Sequence, residues 1–142
     1  LTGKEFLLFI GEIFGLSEKE REKRSRTLLK MVCLPQEAWD RHIRTYSKGM
    51  QQRLGMAQAL VNDPEILFLD EPMSGLDPIG RHEMKEIILS LKKEGKTIFF
   101  NSHILADAES LCDRIGIIHQ GQLLLEGAIA DICSPEKNFE TV

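Results

Sequence analysis

Two short apolar runs in this 142-residue chain end in side chains able to do chemistry. Ile66-Leu67-Phe68-Leu69 leads straight into Asp70-Glu71-Pro72, and Thr97-Ile98-Phe99-Phe100 leads into Asn101-Ser102-His103. Continuous apolar runs of this length read as parallel strands covered on both faces. Open parallel sheets bind their ligands beyond the carboxyl ends of the strands. Two neighbouring strands would therefore put two carboxylates and an imidazole on one rim. A carboxylate directly after a buried strand suits Mg²⁺, which keeps several waters and needs only one or two carboxylates plus phosphate oxygens; Asp70 is that carboxylate. Glu71, one residue on, points elsewhere and could polarise an attacking water, the one orienting group that phosphoryl transfer asks for. Each feature has a plain alternative when taken singly. An acidic pair can merely cap a loop, and a lone histidine is more often structural.

A second group lies upstream. Ser47 precedes a helical pattern over residues 48–61. A serine there caps the helix, and the free N–H groups and positive dipole end of the first turn face outward, ready for an anion. Gly49 permits close approach, and Lys48 adds a positive charge. A simple N-cap without a ligand explains Ser47 equally, and it can be both.

These residues need elements to hold them. Residues 1–62 read as helical, with Phe6, Leu7, Ile10, Ile13 and Phe14 at helical spacing and Gly15 as a stop. Ser17 caps a second helix whose charged run over 19–26 reads as a solvated face with Glu and Lys or Arg at pair spacing. Pro35 opens a short helical turn containing Trp39. From Glu65 the pattern alternates strand and helix. Asp77-Pro78 starts a helix through Met84, Ile87, Ile88 and Leu91 that Gly95 ends, residues 104–111 form another, and Gln120-Gly121 reads as a hairpin turn. A last short helix covers 128–133. The class is α/β with a helical insertion at the front.

Net charge is −4 with 28% charged residues, so no basic surface points to nucleic acid. No apolar stretch approaches the roughly 20 residues needed to cross a bilayer. Cys33, Cys112 and Cys133 lack paired spacing and read as reduced thiols packed as small apolar residues.

The motifs now resemble a known family. Residues 66–72 look like the Walker B motif of ABC ATPases, and Ser74-Gly75-Leu76-Asp77 like their D-loop. Tyr46-Ser47-Lys48-Gly49-Met50-Gln51-Gln52-Arg53 resembles their signature sequence, and His103 falls where they carry a switch histidine. The resemblance implies a parallel sheet of P-loop NTPase type with a helical subdomain at 1–62, the carboxy-terminal part of a RecA-like core at 63–134 and a loose tail at 135–142. It implies that Asp70 helps hold Mg²⁺ and that Glu71 is the catalytic base. His103 would sense the γ-phosphate of ATP. Ser47, Lys48, Gly49 and Met50 would meet the γ-phosphate of a nucleotide on the opposite subunit, and Ser74 and Asp77 would line the dimer interface. The partners implied are a second ATPase subunit and a membrane-spanning transporter subunit docked on the helical subdomain around Trp39. The location implied is the cytoplasmic, inner face of the cell membrane.

The departures are informative. Lys48 stands where the family usually has Gly, and Met50 where it has Gln; this variant is similar to that of some ABC exporter subunits and points towards export. No Gly-x-x-x-x-Gly-Lys-[Ser/Thr] occurs in the 142 residues, and Gly3-Lys4 is followed by Glu5. The expected reading is an amino-terminally incomplete domain whose Walker A loop lies ahead of Leu1. A non-transport ABC ATPase of DNA repair or translation, and a catalytically inactive remnant, are the alternatives. Without a phosphate cradle in cis, the 142-residue chain alone is expected not to bind Mg-ATP tightly. Titration calorimetry checks this, and micromolar binding would reveal a cradle of another kind.

Overall fold

A computed structural model describes residues 1–132, which fall into two units, Leu1–Asn101 and the described residues from Ser102 onward. The loose tail expected at 135–142 and Cys133 lie outside the described residues.

The first unit opens with helices whose ends are written in the sequence. In α1 (Gly3–Ile13) and α2 (Glu18–Met31), Thr2 and Ser17 each complete a capping box with the glutamate three residues on. Gly15, at φ 76°, turns the chain between them, a left-handed conformation that costs glycine nothing. Single helical turns at Gln36–Ala38 and Ile43–Thr45 lead to α3 (Lys48–Ala59). Leu7, Leu28, Leu29 and Leu60 are fully buried among these helices, each contributing about 1.5–3 kcal/mol.

Then comes the strand–helix–strand unit. β1 (Ile66–Leu69) and β2 (Thr97–Phe100) pair in parallel, Ile66 opposite Thr97 and Leu69 opposite Phe100. The long α4 (Pro78–Lys93) connects them, capped by Asp77 with Pro78 in its first turn. Its apolar stripe of Met84, Ile87, Ile88 and Leu91 is buried. Within this chain one face of the strand pair is packed. Leu67 is buried, whereas Ile66, Phe68 and Phe99 stand exposed, with the Phe68 and Phe99 rings 5.8 Å apart.

Trp39, around which docking was expected, is itself buried: only 6% of it is exposed, and its indole N–H donates to the Leu34 carbonyl at 2.9 Å. One expectation about the cysteines is corrected. Cys33 is exposed in the turn after α2, at φ 53°, rather than packed in the core. The charged run of α2 is also less solvated than it reads. Arg26 does pair with Glu22 along the helix, but Arg24 reaches across to the carbonyls of Leu60 and Val61 at the end of α3, at 2.9 and 3.3 Å.

In the second unit, α5 (Leu105–Leu111) precedes an antiparallel hairpin of β3 (Arg114–His119) and β4 (Gln122–Ala128), and α6 (Ile129–Ile132) follows. Gln120 and Gly121, at φ 49° and 77°, form the two-residue turn read from the sequence. Among the described residues no helix is long and apolar enough to cross a membrane.

Asp63, just before β1, accepts from Lys96 at 2.8 Å and Arg24 at 3.1 Å, and these cations hold its carboxyl below the usual aspartate range. A depressed folded-state value gives stability that is present above the unfolded value and is lost as pH falls through the folded one. Asp63→Asn keeps a residue tolerant of its φ of 53°. It is expected to cost a few tenths of a kcal/mol at neutral pH, since the carboxylate is mostly in water. The deficit should fade below about pH 4, which thermal melts across pH would follow.

Candidate active site

The site begins at the carboxyl ends of β1 and β2. Asp70 and Asn101 follow the paired residues Leu69 and Phe100, so the parallel register brings them side by side. The Asn101 amide donates through Nδ2 to Asp70 Oδ1 at 2.7 Å, and its Oδ1 accepts the Glu71 N–H, also at 2.7 Å. One side chain thus holds both acidic residues. The sequence places Asn101 at the end of the second strand without giving it a role; its amide, able to donate and accept at once, was the available signal.

Glu71 is half-buried and takes the left-handed conformation, φ 42°. A residue with a Cβ pays about 1–2 kcal/mol there. Its carbonyl accepts from the Ser74 N–H at 2.9 Å and from Gln52 Nε2 on α3 at 3.0 Å. The backbone of the candidate base is therefore held at its N–H and its C=O by groups from three parts of the unit.

The start of α3 is anchored separately. Tyr46 is buried, and its hydroxyl donates to the Ala38 carbonyl at 2.6 Å. That oxygen lies 2.2 Å from where a Cβ of Gly3 would be, so only glycine fits beneath it. Burial pushes the Tyr46 phenol up from its ordinary value, which keeps it a neutral donor. Ser47 follows and caps α3, its hydroxyl accepting the Met50 N–H at 3.2 Å. The plain cap read from the sequence is thus present. The first-turn N–H groups of Lys48 and Gly49 lack intrahelical partners by construction and lie at the positive end of the helix.

The turn at 74–77 packs against this helix start. The Lys48 stem and ammonium lie across Gly75, 2.6–2.8 Å from where a Cβ would be, and Gly75 has φ 69°. Leu76 sits against Gly49, 3.3 Å from a Cβ there. Asp77 caps α4 by accepting the Gly80 N–H at 2.9 Å. Arg53, whose role the sequence did not disclose, donates to the Val32 carbonyl at 2.9 Å and pairs with Glu83 of α4. Within the first unit, Ser47, Lys48 and Gly49 at the start of α3 thus adjoin the turn of Ser74 and Asp77, which is bonded back to Glu71 beside Asp70. Met50 is half-buried on the first turn of α3. His103 belongs to the second unit, exposed ahead of α5.

Among the described residues no three His, Cys, Asp or Glu side chains cluster as a metal cage. Asp70, exposed and with only Oδ1 engaged by Asn101, suits a cation whose other ligands are phosphate oxygens and water, as Mg²⁺ bound to a nucleotide has.

Comparison with known proteins gives first the class. The ATP-binding cassette MJ0796, solved as a dimer bound to ADP and Pi, matches with a TM-score of 0.80 and 28% identity over 91% of this chain and 57% of its own. The fold is that of the P-loop NTPases, of the ABC ATPase type. The sequence profile described as ABC transporter matches residues 3–74, half of the chain, and the chain belongs to that family through its ATP-binding domain. It is 55% identical to an uncharacterized ABC transporter ATP-binding protein of Synechocystis sp., over all of this chain and 40% of the relative. It is 41% identical to the linearmycin resistance ATP-binding protein LnrL of Bacillus subtilis, over 94% of this chain and 43% of the relative. The chain thus spans well under half the length of these curated relatives.

Asn101→Ala removes both bonds of the bracket at once. Hydrogen exchange of the Glu71 amide should quicken by about tenfold, the worth of an ordinary hydrogen bond, while the β1–β2 ladder keeps its protection. Unchanged exchange at Glu71 would mean that the bracket does not hold it.

Proposed function

We propose that the whole protein is the ATP-binding subunit of an ABC exporter, coupling ATP binding and hydrolysis in a head-to-tail dimer to transport across a membrane. The observation that carries this reading is the held, left-handed Glu71 beside Asp70 at the end of β1. Backbone held in a costly conformation by several partners at once is characteristic of functional sites. The name of the linearmycin resistance relative and the Lys48 and Met50 variant of the signature support export over import.

Residues 1–62 act as the helical subdomain and 63–134 as the carboxy-terminal part of the ATPase core. The start of α3 presents the N–H groups of Lys48 and Gly49, the Ser47 hydroxyl and the Lys48 ammonium to the γ-phosphate of a nucleotide held by the opposite subunit, beside Met50. Mg²⁺, when bound with ATP, neutralises charge on the phosphate oxygens, and Asp70 helps hold it. Glu71 orients a water and takes its proton as the water oxygen bonds to the γ-phosphorus and the bond to the ADP oxygen breaks. His103 senses whether the γ-phosphate is present. Ser74 and Asp77 lie on the turn that lines the dimer interface. ATP binds the closed dimer better than the open one, so binding closes it and hydrolysis resets it. The membrane-spanning subunit docks at the helical subdomain, on the cytoplasmic face of the cell membrane.

In the full-length protein, Glu71→Gln is expected to abolish turnover and to trap an ATP-bound dimer, because closure survives when water activation is lost. Gel filtration with ATP and a phosphate-release assay read both effects. Hydrolysis at the wild-type rate would remove Glu71 as the base.

A further inference from the structure

We propose that Gln52 is a positioning residue that ties the signature helix to Glu71 and so passes the state of one nucleotide site to the base of the other. The proposal rests on the reading of Glu71 as the water-orienting carboxylate.

Glu71 occupies a conformation it would not hold alone. It is left-handed at φ 42°, and Pro72 follows it. The ring of a proline crowds the preceding residue and favours extended backbone there. Hydrogen bonds of different origin oppose these preferences. Asn101 takes the N–H from the neighbouring strand end, and Ser74 donates to the carbonyl from within the same turn. Gln52 donates to that carbonyl from α3, nineteen residues away in sequence. It is the contact that joins the Glu71 peptide to the helix carrying Ser47, Lys48 and Gly49.

The geometry gives this bond a direction of influence. Gln52 is half-buried one turn beyond the capped start of α3, so a shift of the helix start moves its amide. The carbonyl it holds belongs to the residue whose side chain acts, and turning that peptide turns the backbone from which the carboxylate projects. In the proposed dimer the start of α3 faces the partner's nucleotide, whereas Glu71 serves the chain's own. Gln52 therefore makes correct placement of the base depend on α3 having its anion. A glutamate at this position would set a carboxylate against a carbonyl. A methionine would keep the length and lose the donor.

The test uses the full-length ATPase. Gln52→Met should lower kcat about three- to tenfold, as loss of one ordinary hydrogen bond predicts, with the ATP concentration for half-maximal rate unchanged. Gln52→Lys restores a donor at similar reach and should recover much of the rate, which bulk and packing alone would not do. In a Glu71→Gln background, adding Gln52→Met should leave ATP-driven dimerisation at the same ATP concentration. Wild-type kcat in Gln52→Met would overturn the proposal, as would loss of the dimer in the double variant, which would make Gln52 part of the nucleotide contact or of the helix itself. The reading of Glu71 fails separately: if Glu71→Gln alone hydrolyses ATP normally, the base is elsewhere whatever Gln52 does.

Discussion

The peptide at Glu71 is the constraint around which the first unit is arranged. A non-glycine residue held left-handed ahead of a proline is opposed by its own sterics, at a cost of about 1–3 kcal/mol. Its persistence needs partners at both ends of the peptide, each bond worth about 1 kcal/mol net. The N–H partner exists only if β2 lies parallel to β1 in the observed register, because that pairing brings Asn101 beside Asp70. The carbonyl partners exist only if α3 and the turn at 74–77 are in place. Strand pairing, helix docking and turn geometry thus converge on one backbone position, with the acidic side chains carried on top of it.

Placing α3 is correspondingly over-determined. Tyr46, wedged over Gly3 and bonded to the Ala38 carbonyl, fixes the residue before the cap. Arg24 satisfies carbonyls at the far end of the helix, where its charge also suits the dipole. Arg53 joins the middle of the helix to the end of α2 and to Glu83 on α4. These arginines look like surface charges in the sequence, yet their guanidinium groups stitch elements together through donors that apolar packing cannot supply. The result is a helix start whose backbone is held in place, the preorganisation that the proposed phosphate contact would draw on.

The turn at 74–77 joins the two halves of this arrangement. Its Ser74 N–H holds Glu71, its Gly75 lies under Lys48, its Leu76 touches Gly49, and its Asp77 caps α4. Gly75 is required twice over, by its positive φ and by the lysine stem that leaves no room for a Cβ. Lys48 is therefore both a charge beside the helix start and a cover over the turn, a packing role absent from a reading of its charge alone.

What the sequence determined by itself was local or ordered along the chain. The Ser17 cap, the Asp77-Pro78 helix start, the Gln120-Gly121 turn and the strand ends at Asp70 and Asn101 all act over a few residues, so they were legible. The order of the motifs was enough to indicate the family. Only the tertiary structure decided which side chains hold the site. Gln52 and Asn101 meet Glu71 across 19 and 30 residues, and Arg53 meets Glu83 across 30. It also decided that Trp39 is buried and that Cys33 is exposed. The physical reason is one of range. Capping, periodicity and turn preferences are set by neighbours in the chain, whereas burial and long-range hydrogen bonds depend on which surfaces the packed elements bring together.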